Sequence, residues 1–347
     1  MFTERPIIVA AREAGKALTA SIAEAILRLD MDSPDFASVS ELQGSAVVDE
    51  KGSEPWAKGV AAVNCHGAGG NALDPNFQRR GVLGLLSSMM QHECSPSCVV
   101  HISSADSGSL VSLHTIREVL PGELLSISYI GGYQTSSRRR KLLQSQHSFT
   151  CTCPRCTVLP EMVRAFRCPA CGEGPCSPAS PEVSCREIIC DECECTLVLD
   201  DEAWADFEAA ENCDVVCAEC MSVLHPFHHR PVLMYQHNLL KLPPGARAEV
   251  LLQHKEARER VYSTFAAADV GYSLVANDVE AAAIALLAAG EPERAAECFK
   301  DAAARFAAFY GASSVDAGRC QRGAQATTLS QLSAEFGKQG YEVHAHH

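Results

Sequence analysis

Apolar residues change their spacing along the chain, and the change predicts three stretches, residues 1–135, 136–225 and 226–347. The first mixes short alternating segments with helical patterns, of which Ala10 to Leu29 is the clearest. Its second half reads as β. Val99, Val100 and Ile102 lead into a polar turn at Ser103 to Ser109, and Leu110, Val111 and Leu113 leave it, which predicts a hairpin with a long loop. A further strand is expected over Leu124 to Tyr129, after Pro121 and Gly122.

The last stretch is helical. Val250, His254, Ala257, Val261, Phe265 and Ala268 recur at three and four residues, and so do Ala295, Phe299, Ala302, Phe306 and Phe309. Between Val279 and Tyr310, Gly290-Glu291-Pro292 splits two helical patterns and suits an antiparallel helical hairpin. The expected fold class is α+β, a β-rich domain followed by a cysteine-rich segment and a helical domain.

Composition sharpens this reading at the middle stretch. Of 18 cysteines, thirteen fall between Cys151 and Cys220. Long apolar runs are scarce there, so bound metal is expected to do much of the stabilising. Such clustering points to zinc rather than to disulfides spread through the chain. The N-terminus offers only Ile7 to Ala11 between Arg5 and Arg12, too short for a secretory signal, and no apolar run is long enough to span a bilayer. A cytoplasmic or nuclear location is expected. With 29 basic against 43 acidic residues the net charge is -14, which disfavours nucleic acid as a partner and favours a basic protein segment.

Three short segments carry the chemistry: Gln91-His92-Glu93-Cys94-Ser95-Pro96-Ser97-Cys98, then Gly122-Glu123-Leu124-Leu125-Ser126-Ile127-Ser128-Tyr129, then Phe149-Thr150-Cys151-Thr152-Cys153-Pro154-Arg155-Cys156. In order and spacing they resemble the C-terminal half of a SET domain, specifically that of the SET and MYND domain family of protein lysine methyltransferases. The resemblance covers about residues 60–200. A weaker helical echo to about residue 325 is similar to the family's tetratricopeptide-like domain and includes Phe309-Tyr310-Gly311. It implies an S-adenosylmethionine-dependent transfer of methyl groups to a lysine of a histone or another protein.

Three thiolates, Cys151, Cys153 and Cys156, leave a tetrahedral zinc ion one ligand short. By resemblance Cys94 closes this post-SET site; otherwise it is a buried core thiol. The resemblance also makes Tyr129 the catalytic tyrosine, which orients the lysine amine, and gives His92, Phe149 and Asn64 contacts to the cofactor. Gln91 stands in the cofactor-contacting segment where the family has Asn, and Ser97 where the motif closes with Asn. Neither a G-x-G opening strand nor a MYND finger precedes these segments, and Gly67-Ala68-Gly69-Gly70 reads as a flexible loop. These departures leave a second reading open, a catalytically degenerate zinc-bound interaction scaffold.

Cys168-x-x-Cys171 and Cys190-x-x-Cys193, with eighteen residues between them, fit a zinc ribbon. Two zinc ions are therefore expected. A third requires Cys217 and Cys220 to be joined by Cys213, Cys195, His225 or His228, while Cys176 and Cys185 remain without a role. From Glu187 to Leu224 there are twelve acidic residues and no Lys or Arg, either a solvated face or a lure for a lysine-rich segment. Asp200-Asp201-Glu202 suits the start of a helix carrying Trp204 and Phe207. Arg138 to Lys141 reads as a solvated helix start.

Overall fold

A computed structural model describes residues 2–4, 8–11, 16–28, 51, 53–64, 66–68, 80–105, 108–213, 217–264 and 273–337. Two compact units emerge, Met1–Ile130 with Lys141–Thr150, and Gly131–Arg140 with Cys151–His347.

The first unit holds strands β1 (Phe2–Glu4) and β2 (Ile8–Ala11), helices α1 (Lys16–Leu27) and α2 (Glu54–Asn64), and strands β3 (His66–Ala68) and β4 (Arg80–Leu83). Four more strands follow, β5 (Gln91–His92), β6 (Cys98–Ala105), β7 (Gly108–Thr115) and β8 (Ser126–Ile127). They form three small sheets, ordered β1-β7-β6, β2-β4-β3 and β5-β8. The core between the helices joins Ile22, Ala23 and Ile26 of α1 to Trp56, Ala57, Val60 and Ala61 of α2, with Leu83 beneath.

Four local expectations need correction. The helix expected from Ala10 begins at Lys16, because the β-branched run before it pairs instead with β4, Ile8 opposite Leu83 and Ala11 opposite Arg80. The hairpin loop is not long. Ser103, Ser104 and Ala105 pair with Leu110, Ser109 and Gly108, since a ladder of backbone bonds continues through serines that composition assigns to a turn. The strand expected over Leu124 to Tyr129 shrinks to Ser126–Ile127, and Leu124 and Leu125 are exposed. Gly67 and Ala68 lie in β3 rather than in a loop, whereas Gly69 and Gly70 fall outside the described residues.

In the second unit, strands β9 (Phe166–Arg167), β10 (Pro175–Pro178), β11 (Glu187–Cys190) and β12 (Thr196–Val198) form one antiparallel sheet. Helix α3 (Ser136–His147) contributes its first residues to this unit and its remainder to the other. Helix α4 (Asp201–Asn212) starts where the acids predicted, with Asp200 accepting from the Ala203 amide. It lays Trp204, Phe207 and Ala210 on Phe166, Ile188 and Leu224, and the Phe166 and Phe207 rings stack at 4.2 Å.

A helical region follows: α5 (Ala218–Val223), α6 (His229–Asn238), α7 (Pro244–Tyr262), α8 (Ser273–Ala288), α9 (Pro292–Tyr310), α10 (Val315–Gly323) and α11 (Leu329–Gly337). On α9 the expected stripe of Ala295, Phe299, Ala302, Phe306 and Phe309 is buried throughout. Gly290 breaks α8 from α9 at φ 80°, a conformation open to glycine, and Pro292 opens α9. On α7 the buried stripe runs through Ala248, Leu251, His254, Ala257 and Val261, while Phe265 and Ala268 fall outside the described residues. Gly323 of α10 is there for proximity, since a Cβ on it would sit 2.8 Å from the Phe299 ring. Arg260 of α7 ties helices to sheet by donating to the Met162 carbonyl and the Ser177 hydroxyl.

Buried charge is matched by opposite charge. Arg319 grips both oxygens of Glu280 at 2.6 and 2.7 Å, and Arg164 grips those of Glu211 at 2.9 and 2.7 Å. Burial opposes ionisation of Glu211, yet the nearby His228 and the two hydrogen bonds from Arg164 hold its carboxyl down at about 2. A depressed folded-state value stabilises the fold fully above the ordinary 4.5 and loses that contribution as pH falls towards 2. Glu211→Gln is therefore expected to cost about 3 kcal/mol in urea unfolding at pH 7, with the gap to wild type closing at pH 2–3. A gap independent of pH would contradict this origin.

Candidate active site and metal centres

The first two segments singled out in the sequence meet through β5 and β8, a parallel pair of two residues on each side, Gln91 beside Ser126 and His92 beside Ile127. So short a pairing needs reinforcement. Ser97 and Ser126 supply it by exchanging bonds, Ser126 N to Ser97 Oγ at 2.9 Å and Ser97 N to Ser126 Oγ at 3.1 Å. The Ser126 hydroxyl then donates to Glu93 Oε2 at 3.0 Å, and the Glu93 amide donates to the Ile127 carbonyl at 3.0 Å. Ser97 is wholly buried, so the residue standing for the motif's closing Asn serves this latch.

Just past the latch, His92 Nδ1 accepts from the Tyr129 amide at 3.1 Å. The neutral ring must then carry its proton on Nε2, which points at Cys94 Sγ 3.3 Å away. Around this histidine gather Tyr129 (ring centroids 5.2 Å apart) and Phe149 (5.8 Å), and His147 lies 4.8 Å from Tyr129 and 6.5 Å from Phe149. The Tyr129 hydroxyl donates to the Met90 carbonyl, and burial pushes its phenol above the ordinary value, keeping it protonated. Burial pushes His147 down, so this imidazole is neutral near pH 7, and its buried Nδ1 has no hydrogen-bond partner. Such a group of ring faces favours a cation, and an orphaned nitrogen beside it can accept a hydrogen bond.

Of the sequence-predicted residues, the structure thus brings together His92, Tyr129 and Phe149. Gln91 is exposed in β5. Asn64 is buried at the end of α2, where its amide donates to the Val60 carbonyl at 3.0 Å. Sequence reasoning missed His147, two residues before Phe149 in the same run.

The loop carrying Cys151, Cys153 and Cys156 holds its three sulfur atoms within 4.8 Å of one another, close enough for one ion. Two residues of the basic run secure it, contrary to the expectation of a solvated helix start. Arg139 is wholly buried, donates to the Gln134 and Arg155 carbonyls, lies 3.5 Å from Cys156 Sγ and pairs with Glu161 at 3.5 Å. Arg140 donates to the carbonyls of Cys151 and Cys156 at 3.3 and 2.5 Å. A long stem lets each guanidinium reach back from α3 to the loop, and carbonyls with one carboxylate offset the cost of burying charge. Cys94, in the first unit, is buried.

Cys168, Cys171, Cys190 and Cys193 also lie within 4.8 Å of one another. Each C-x-x-C turn sits between two strands, β9 and β10 or β11 and β12, and each is followed by a left-handed residue, Gly172 (φ 78°) or Glu194 (φ 57°). Amides of Ala170 and Gly174 point at the sulfurs of Cys168 and Cys171, both at 3.4 Å, the way thiolates are held for a metal. Gly174 admits no side chain, because a Cβ there would lie 2.7 Å from Cys190 Sγ. Four thiols so arranged fit zinc.

Cys195 joins the ribbon, 3.2 Å from Cys193 and 3.7 Å from Cys168. Cys176 faces Cys190 across β10 and β11, its thiol pushed up by burial. Cys185 turns instead to the Glu187 carbonyl. Among the partners weighed for Cys217 and Cys220, it is Cys213 that the structure groups with them. His225 Nδ1 accepts from the Phe227 amide, and His228 Nδ1 accepts from the Arg230 amide while its Nε2 lies 3.4 Å from Glu211. Glu211, His228 and His229 converge as well, but Arg164 occupies both Glu211 oxygens.

Parts of the chain are similar to known proteins. Residues 12–130 match the SET domain family. The chain is 39% identical over 69 residues to the Mus musculus histone-lysine N-methyltransferase SMYD3, covering 20% of this chain and 15% of that protein. It is 31% identical over 87 residues to the Schizosaccharomyces pombe histone-lysine N-methyltransferase set5, covering 25% of this chain and 27% of the other. With the Gallus gallus protein-lysine N-trimethyltransferase SMYD5 it shares 26% identity over 128 residues, 36% of this chain and 27% of that one. The chain thus spans about a quarter or less of the length of these relatives. Residues 12–130 carry a SET domain, and the chain is similar over part of its length to lysine methyltransferases of the SMYD type.

Proposed function

We propose that the chain is an S-adenosylmethionine-dependent protein-lysine N-methyltransferase. The observation that carries this reading is the convergence of His92, Tyr129, His147 and Phe149 in one aromatic cluster at a strand pairing that lies within the residues matching a SET domain. S-adenosylmethionine would supply the methyl group on an electrophilic sulfonium. His92 and Phe149, with Gln91 and Asn64 carried over from the resemblance, are the residues that would hold it. Methyl transfer needs a neutral lysine amine, positioned and stripped of water. The Tyr129 phenol orients the nitrogen lone pair, and the neutral His147 imidazole beside it does not repel the lysine.

The helical region, with α8 and α9 as an antiparallel hairpin, is read as the tetratricopeptide-like domain of this architecture. Net charge and the acidic run from Glu187 onward suit a basic, lysine-containing protein segment, for which histones are the natural trial substrate. Zinc at two sites supports the fold, one held by Cys168, Cys171, Cys190 and Cys193, the other by Cys151, Cys153, Cys156 and Cys94. The His92 Nε2 proton, 3.3 Å from the Cys94 sulfur, favours a thiolate there. Cysteines clustered for zinc rather than paired in disulfides suit the cytoplasm or nucleus.

Tyr129→Phe is expected to lower methyl transfer to core histones from radiolabelled S-adenosylmethionine by about 10²-fold, with zinc content unchanged. Full activity in that variant would remove the catalytic assignment. An inert wild type across a panel of lysine-rich proteins would favour the interaction scaffold. Separately, Cys94→Ser and Gly174→Val should each lower by one the zinc ions found by elemental analysis of protein prepared without chelator, and an unchanged count would contradict the ligand set.

A further inference from the structure

A third group of thiols serves neither the aromatic cluster nor the two centres above. Cys213, at the C-terminal end of α4, and Cys217 and Cys220, at the start of α5, hold their sulfur atoms within 4.8 Å of one another, with Cys217 and Cys220 3.4 Å apart. Their positions are fixed from outside the group. The Arg230 guanidinium, reaching over from α6, donates to the carbonyls of Ala210, Glu211 and Cys213, closing the end of α4 and setting Cys213. Cys217 caps α5, its carbonyl accepting from the Met221 amide at 3.0 Å, and Cys220 is anchored in the core with Phe166 and Leu224.

Thiols are weak hydrogen-bond donors, so contact among three of them returns little free energy against the cost of ordering them. A soft dication changes that balance, because it is bound by deprotonated sulfur and makes three clustered thiolates attractive rather than repulsive. We propose that Cys213, Cys217 and Cys220 hold a third zinc ion, independent of the methyltransferase site. A water molecule completes the tetrahedron.

Two measurements on the full chain, purified without chelator, test the site whatever the total number of ions. Native mass spectrometry should show the Cys217→Ala chain, and the Cys213→Ser/Cys217→Ala chain, with one zinc fewer than wild type; an equal count overturns the proposal. Should either variant fail to fold, differential alkylation of the wild type decides. Cys213, Cys217 and Cys220 should resist iodoacetamide until 1,10-phenanthroline is added, while Cys185, half-exposed and outside every cluster, reacts from the start. Reaction of Cys217 as fast as Cys185, or a mass showing a Cys217–Cys220 disulfide, overturns the proposal.

Discussion

A parallel pairing of two residues on two, Gln91–His92 beside Ser126–Ile127, is what makes a site out of segments more than thirty residues apart. Two ladder steps are too few to hold strands in register by themselves, and parallel pairs are the weaker kind. The surplus comes from side chains. Ser97 and Ser126 bond each other's amides while Glu93 accepts from the Ser126 hydroxyl, and all of this is buried or half-buried, where an unmade bond would cost about 1–3 kcal/mol. Because His92 is one of the paired residues and Tyr129 lies two positions beyond Ile127, the latch fixes the imidazole against the tyrosine backbone. Phe149 and His147 then complete the ring cluster from the end of α3.

The cysteine-rich stretch solves a different problem. Between Cys151 and Leu224 a modest apolar core, centred on Phe166, Phe207 and Leu224, must support four short strands and several turns. Sulfur clusters sit where the chain turns, and backbone details there suit metal rather than packing: left-handed residues after each ribbon knuckle, amides aimed at sulfur, and a glycine pressed against Cys190. Buried arginines act alongside them. Arg139, Arg140 and Arg230 each donate to at least one carbonyl of a cysteine-bearing turn, so the loops are braced even before an ion binds.

Much of this was legible in the residues because it depends on local spacing. The C-x-x-C pairs, the stripe on α9, the break at Gly290 and the acidic start of α4 each follow from a few neighbouring positions. What stayed hidden depends on partners distant in sequence. Nothing near Ser97 announces that Ser126 will bond it, and a four-residue basic run looks solvated until Glu161 and the loop carbonyls are placed around Arg139. The serines of β6 and β7 looked like a turn for the same reason, since their ladder is made of backbone groups that composition does not record. His147 was overlooked because histidine at that spacing is unremarkable until its ring is seen 4.8 Å from Tyr129.

The central claim is that these four rings form the working pocket of a methyltransferase. Calorimetric titration of the zinc-replete chain with S-adenosylmethionine tests it most directly. The account predicts saturable binding in the micromolar range that Phe149→Ala weakens by tenfold or more, about 1.4 kcal/mol. Absence of binding to the wild type, or equal binding to both, would contradict it.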